Sequence, residues 1–149
     1  MVSYDEGKEK RLMALDMGQR RIGIALSDPS GFMASPLIVL ERKGEDADIA
    51  AIQKLVTEHS VARVVVGLPL SMDGSMGAEA ERVLQFCSRL SQQLPVPVET
   101  WDERLSTVAA QGLMIEAGAS QRHRRAWRDA VAAAIILQGY LDRERNRAQ

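Results

Sequence analysis

The stretch LMALDMGQRRIGIALSD, Leu12 to Asp28, decides how the rest of the chain is read. Two apolar runs, Leu12–Met17 and Ile22–Ser27, flank the polar tetrapeptide GQRR, the pattern of a β-hairpin. Asp16 stands near the far end of the first run. A carboxylate buried there is costly unless something pairs with it. It therefore either shapes the turn before Gly18 or holds a cation.

Outward from this hairpin, SPLIVLER (Ser35–Arg42) continues as a third strand, with Pro36 near its start, where a missing N–H is tolerated. In EDADIAAIQKLVTEH, Ile49, Ile52 and either Leu55 or Val56 recur at helical spacing and predict an amphipathic helix. VARVVVGLPL, from Val61, is β-branched and reads as a buried strand closed by Gly67 and Pro69. After the loop SMDGSMG a helix is expected over Ala78–Leu94, with Val83, Phe86, Cys87 and Leu90 on one side. PVPVETWDE is a fifth strand ending in two acids. Ser106 is placed to cap a helix that Gly118 stops. GASQRHRR reads as a polar loop, and a last helix is expected from near Trp127 or Asp129 to Arg143.

Three consecutive strands suit an antiparallel meander, and two strands each reached through a helix suit right-handed parallel crossovers. The expected fold is α/β: a mixed five-stranded sheet with helices on both faces. No repeat, low-complexity tract or linker divides the 149 residues. One domain is expected, with its core at about 11–142 and flexible tails at 1–10 and 143–149.

Composition narrows the function classes. With 46% hydrophobic and 26% charged residues the chain is ordinary globular material, and aromatics at 4% leave a mostly aliphatic core. Cys87 is the single cysteine, which rules out an internal disulfide and suits a reducing compartment. The polar start MVSYDEGKEKR has no secretory h-region, and the longest apolar run, Ala130–Leu137, cannot span a membrane. A cytoplasmic protein with no membrane partner is expected. The net charge of -1 excludes a globally basic nucleic-acid binder but leaves room for a local patch.

Ligands of open α/β sheets gather at the carboxyl ends of the strands. Asp16 ends the first strand, Asp102 and Glu103 end the fifth, and Asp129 opens the last helix. Hard oxygen ligands with open positions suit Mg²⁺ or Mn²⁺ and phosphate substrates. Singly, each acid has a plain structural explanation: a turn former at Asp16, a helix-dipole complement at Asp129, a surface ion pair at Glu103. Their shared end of the sheet is what favours a metal site.

Four segments in series, ALDMGQRRIGIALSD, VVVGLPLSMDGSMG, WDERLST and DAVAAAIILQGYLD, resemble the YqgF/RuvX family from about Arg11 to Leu141. The resemblance implies a ribonuclease H-like fold. It also implies either a nuclease that processes the 5′ end of pre-16S ribosomal RNA or a Holliday junction resolvase. By the same resemblance Asp16, Glu103 and Asp129 are the catalytic, metal-binding acids, with Asp102 the alternate to Glu103. Neighbouring strand residues point to opposite faces, so one of that pair is expected to reach the metal. Related resolvases take an acid from the end of the fourth strand, where this chain has Gly67-Leu68-Pro69. In the loop that follows, Gly67 and Gly74 are candidates to let backbone N–H groups approach a phosphate, and Asp73 is a possible extra acid.

Basic residues cluster beside these acids. Arg122, Arg124, Arg125 and Arg128 precede Asp129 or adjoin it, Arg20 and Arg21 lie in the first hairpin, and Arg104 follows Glu103. All are candidate phosphate contacts. Trp127 is expected to anchor the last helix and Trp101 to lie in the core. The partners implied are pre-rRNA or branched DNA and ribosomal precursor particles, for a monomer or, if junctions are resolved, a homodimer. Two rivals remain: a nucleic-acid-binding factor on a nuclease fold without catalysis, and an ATP-binding module, since D-x-G hairpins also open actin-like folds.

Overall fold

The computed structural model describes the backbone of residues 10–105 and 121–148, and within them every side chain except those of 121–126 and 148. The helix expected from Ser106 lies outside the described residues.

Five strands alternate with helices: β1 (Arg11–Met17), β2 (Arg21–Ser27), β3 (Ala34–Glu41), α1 (Glu45–Glu58), β4 (Val61–Leu68), α2 (Ala78–Gln93), β5 (Val98–Asp102), a 3₁₀ turn (Glu103–Leu105) and α3 (Gln121–Ala148). They form one sheet in the order β3-β2-β1-β4-β5. The β1–β2 and β2–β3 pairs are antiparallel and the β1–β4 and β4–β5 pairs parallel, so the meander and the two crossovers are both present. On the β2–β3 ladder the register shifts between Ile24 and Ala25, where Pro36 pairs with Ala25. The edge strand absorbs its missing donor in that irregularity.

The period-2 alternation of β1 divides the core. Met13, Leu15 and Met17 pack with α1 and α2 through Ile49, Ile52, Val56, Val83, Phe86 and Leu90. Ala14 points the other way and, with Ala25 and Val65, packs on Ala133, Ala134, Ile136 and Leu137 of α3. The small side chains on that face let a 28-residue helix lie close against the sheet. β4 is buried on both faces through Val64, Val65 and Val66, each worth roughly 1.5–3 kcal/mol relative to exposure. Trp101 sits in the core as expected, edge-on to Tyr140 at 5.8 Å between ring centroids.

α3 differs from expectation at both ends. It starts at Gln121, so part of the stretch read as a polar loop is helical, and it continues past Arg143 to Ala148. No glycine or proline stops it there. Arg145 bonds Asp142 at 2.6 Å and lies over the Phe32 ring at 4.7 Å, which ties the last turns to the β2–β3 loop. Trp127 is 37% exposed and not a buried anchor. No helix among the described residues is long and apolar enough to cross a membrane.

Candidate active site

Asp16 is the sixth residue of β1, on the face that Ala14 presents to α3. Its register partner on β2 is Gly23. A Cβ on Gly23 would stand 1.9 Å from the carbonyl oxygen of Asp129 and 2.1 Å from its carbonyl carbon. The hairpin thus carries a side-chain-sized notch, and the backbone of α3 fills it at Asp129. That close approach places Asp129 near enough for its charge to act on Asp16.

Glu103 reaches the same face by the same alternation. Trp101 faces α3, Asp102 the opposite way, and Glu103 back toward α3 at the start of the 3₁₀ turn. A Cβ on Gly67 of β4 would lie 2.7 Å from Glu103 Oε2 and 2.5 Å from Ile136 Cδ1. Gly67 is therefore a seat for the Glu103 carboxylate, wedged between β4 and α3, and not a place where backbone is bared to a phosphate.

The electrostatics follow from this crowding. Burial, then the charges of Asp129 and Glu79, push the Asp16 carboxyl up to about 6. Burial, then Asp16, Glu79 and Asp102, push Glu103 up to about 7. Neither carboxylate, nor Glu79, has an Arg or Lys partner among the described residues. Asp129 does: its Oδ2 accepts from Arg21 Nε at 2.9 Å. Glu79, in the first turn of α2, is the acid that sequence reasoning missed. An acid in a helix's first turn has a routine dipole explanation, and nothing local distinguishes one that faces a cleft.

Asp102 has a different task. Its carboxylate accepts from Arg104 N at 3.0 Å, Nε at 3.0 Å and Nη2 at 2.6 Å, and this fork holds it below the usual carboxylate range. Arg104 Nη1 also donates to the Met72 carbonyl at 3.1 Å, so Arg104 pins the β4–α2 loop to the end of β5. Within that loop Gly74 has φ +87°, and its N–H is already donated to Ser71 O at 2.8 Å. Asp73 accepts from Ser75 N and Oγ at 2.9 and 2.7 Å. Both shape a turn. Arg20 and Arg128 are exposed near this end of the molecule, Arg128 directly before Asp129. The side chains of Arg122, Arg124 and Arg125 lie outside the described residues.

Among the described residues no three His, Cys, Asp or Glu side chains form a ready-made metal cage. The chemistry of the donor set still fits a divalent ion: two crowded carboxylates lacking a cation among the described residues, and a third, Asp129, near Asp16 and bonded to an exchangeable, half-exposed arginine.

Comparison with known proteins sharpens the picture. The family described as "RuvX: Holliday junction resolvase" matches residues 10–143. A protein of Desulforamulus reducens named "Putative pre-16S rRNA nuclease" is 45% identical over 132 residues, spanning 89% of this chain and 96% of the relative. One of the same name from Clostridium botulinum (strain Hall) is 46% identical over 132 residues, with the same coverage of each. Among solved structures, the chain resembles Thermus thermophilus RuvC at TM-score 0.57 and 13% identity, covering 90% of this chain and 96% of that one. At that identity the likeness speaks for the fold, which is ribonuclease H-like.

Proposed function

The chain belongs to the RuvX family, and from that premise we propose that it is a divalent-metal-dependent nuclease that hydrolyses phosphodiester bonds of structured nucleic acid. The first-choice role is processing of the 5′ end of pre-16S rRNA, the activity in the names of its 44–46% identical relatives. Action on ribosomal precursor particles in the cytoplasm, as a monomer or homodimer, goes with that role. Resolution of four-way DNA junctions is second, favoured by the family's own description.

One observation carries the reading: Asp16 and Glu103 are lodged, without a counter-cation among the described residues, at the carboxyl ends of β1 and β5, with Asp129 near Asp16. Keeping two acids so crowded costs stability, and a protein that gains nothing from them has no reason to hold them. Asp16, Glu103 and Asp129 would hold Mg²⁺ or Mn²⁺, with Asp102 serving the loop instead. The ion when bound lowers the pKa of its water and offsets charge on the phosphoryl oxygens. Gly67 and Ile136 fix the Glu103 carboxylate, Gly23 fixes the height of Asp129, and Arg21 is poised to leave Asp129 for a phosphate. Arg20 and Arg128, with the neighbouring Arg122, Arg124 and Arg125, supply further positive charge for the nucleic-acid backbone.

The test pairs a pre-16S RNA carrying its 5′ extension with a four-way DNA junction, each in Mg²⁺, Mn²⁺ or EDTA. Asp16→Asn and Asp129→Asn run beside the wild type. Metal-dependent cutting lost in both variants is expected, and the substrate cut names the role. Binding without cutting in all three proteins would sink the catalytic proposal.

A further inference from the structure

A pocket of about 230 Å³ opens at the carboxyl end of β1, between that strand and the α1–α2 layer. Met17 and Gly18, the two residues after Asp16, line it together with Glu79, whose charge bears on both Asp16 and Glu103, so the pocket shares the acids' end of β1 from the opposite face of the sheet. It is smaller than the roughly 300–1,000 Å³ of sites that enclose a whole drug-sized ligand. It has room for one planar ring.

Its lining has two parts. On one side the Arg42 guanidinium lies over the Phe86 ring at 5.5 Å. It is held there by Nε to the buried Asp48 carboxylate at 3.2 Å and by Nη1 to Gly18 O at 3.0 Å. Pinned on both edges, it is a flat, fixed platform and not a roaming charge. Around it stand Gln19, Arg82 and Gln85, exposed and with no hydrogen-bond or ion partner among the described residues. A phosphate fits poorly, because Glu45 and Glu79 also line the pocket. A nucleobase fits well: its faces stack on guanidinium and aromatic planes, and its edge takes donors and acceptors from amides and arginine.

We propose that this pocket receives one unstacked base of the single strand that feeds the carboxylate site, stacked on the Arg42–Phe86 platform and read at its edge by Gln19, Arg82 and Gln85. The proposal rests on the nuclease reading and adds to it that the substrate presents a single-stranded nucleotide next to the phosphate to be cut.

The test measures equilibrium binding in EDTA, where nothing is cleaved. The full-length chain is titrated with an RNA hairpin bearing the single-stranded 5′ extension of pre-16S rRNA, and with copies in which each extension base in turn is replaced by an abasic site. One position should weaken binding at least about fivefold when its base is removed. That penalty should shrink in an Arg82→Ala/Gln85→Ala variant whose melting temperature matches the wild type, because the edge contacts are lost while the stacking on Arg42 stays. No sensitive position, or a penalty unchanged in the double variant, overturns the pocket. Cleavage of the same RNAs in Mg²⁺ keeps the two readings apart. Metal-dependent cutting with no base-sensitive position defeats the pocket alone. A base-sensitive position filled through Arg82 and Gln85, without any cutting, upholds the pocket and defeats the nuclease.

Discussion

Replacing Asp16 by Asn should make the metal-free protein more stable while abolishing its turnover. The Asp16 carboxyl rises from 3.8 to about 6 in the fold, chiefly through burial and then through Asp129 and Glu79. A raised carboxyl pKa means that the native state holds a proton which the unfolded chain releases. Stability therefore falls as pH rises from about 4 through about 6, and the full penalty is present above 7. Two units at 1.36 kcal/mol each set a ceiling of about 3 kcal/mol. Asp16 retains some exposure, so solvent screening brings this to about 1–2 kcal/mol. For a chain of this length that is a rise in melting temperature of roughly 3–6 °C in the variant. The assay is thermal denaturation in EDTA at pH 5 and pH 8. The variant's advantage should be present at pH 8 and much reduced at pH 5. Added Mg²⁺ should raise the wild type, by about 2.7 kcal/mol at a hundred times its dissociation constant, and leave the variant nearly unmoved. A variant that melts at or below the wild type at pH 8 without metal would refute the reasoning. Asp16 would then be held by a favourable contact and not strained into place.

Three further outcomes follow from the same geometry. Glu103→Gln should abolish metal-dependent cleavage, whereas Asp102→Asn, which only loosens the Arg104 latch on the Met72 carbonyl, should cost no more than about tenfold, or about 1.4 kcal/mol; equal losses in a side-by-side rate measurement would contradict the division of labour. Gly23→Ala should destabilise by about 1–3 kcal/mol in urea titration, because its Cβ meets the backbone of Asp129, and it should impair cleavage by lifting α3. Asp28→Ala should remove a carboxylate that accepts from Met33 N at 2.8 Å, from the Ser30 hydroxyl and from Phe32 N at 2.8 Å, and that lies at about 2 because of those bonds. The lowered pKa makes its contribution present above about pH 4 and lost as pH falls toward 2, so wild type and variant should converge in stability on acidification.

How much of this was legible in the sequence depends on whether a feature is local. The β1–β2 hairpin, the parallel crossovers and the two-sided core were legible because apolar spacing is a property of neighbouring residues, and Met13/Leu15 against Ala14 is the same alternation seen in cross-section. The end of α3 was misjudged because its last turns are held by Arg145 on Phe32, a contact between residues more than a hundred positions apart.

The site divides along the same line. Asp16, Glu103 and Asp129 could be named, since element ends and motif resemblance are readable along the chain. What sets Asp129 near Asp16, and Glu103 against β4, is the space at two glycines. Gly23 is an unremarked residue in an apolar strand, and only the approach of Asp129 to the empty side of its Cα shows why a side chain is excluded there. Gly67 read as loop backbone awaiting a phosphate, yet its emptiness is already occupied by Glu103 and Ile136. Glu79 is the mirror case, a residue with an adequate local explanation whose charge nonetheless bears on both Asp16 and Glu103 across the cleft. A glycine's missing side chain and a helix-start acid carry no direction in one dimension. They acquire function only through what the fold sets opposite them, and for that reason Gly23→Ala tests the site as directly as the loss of a carboxylate.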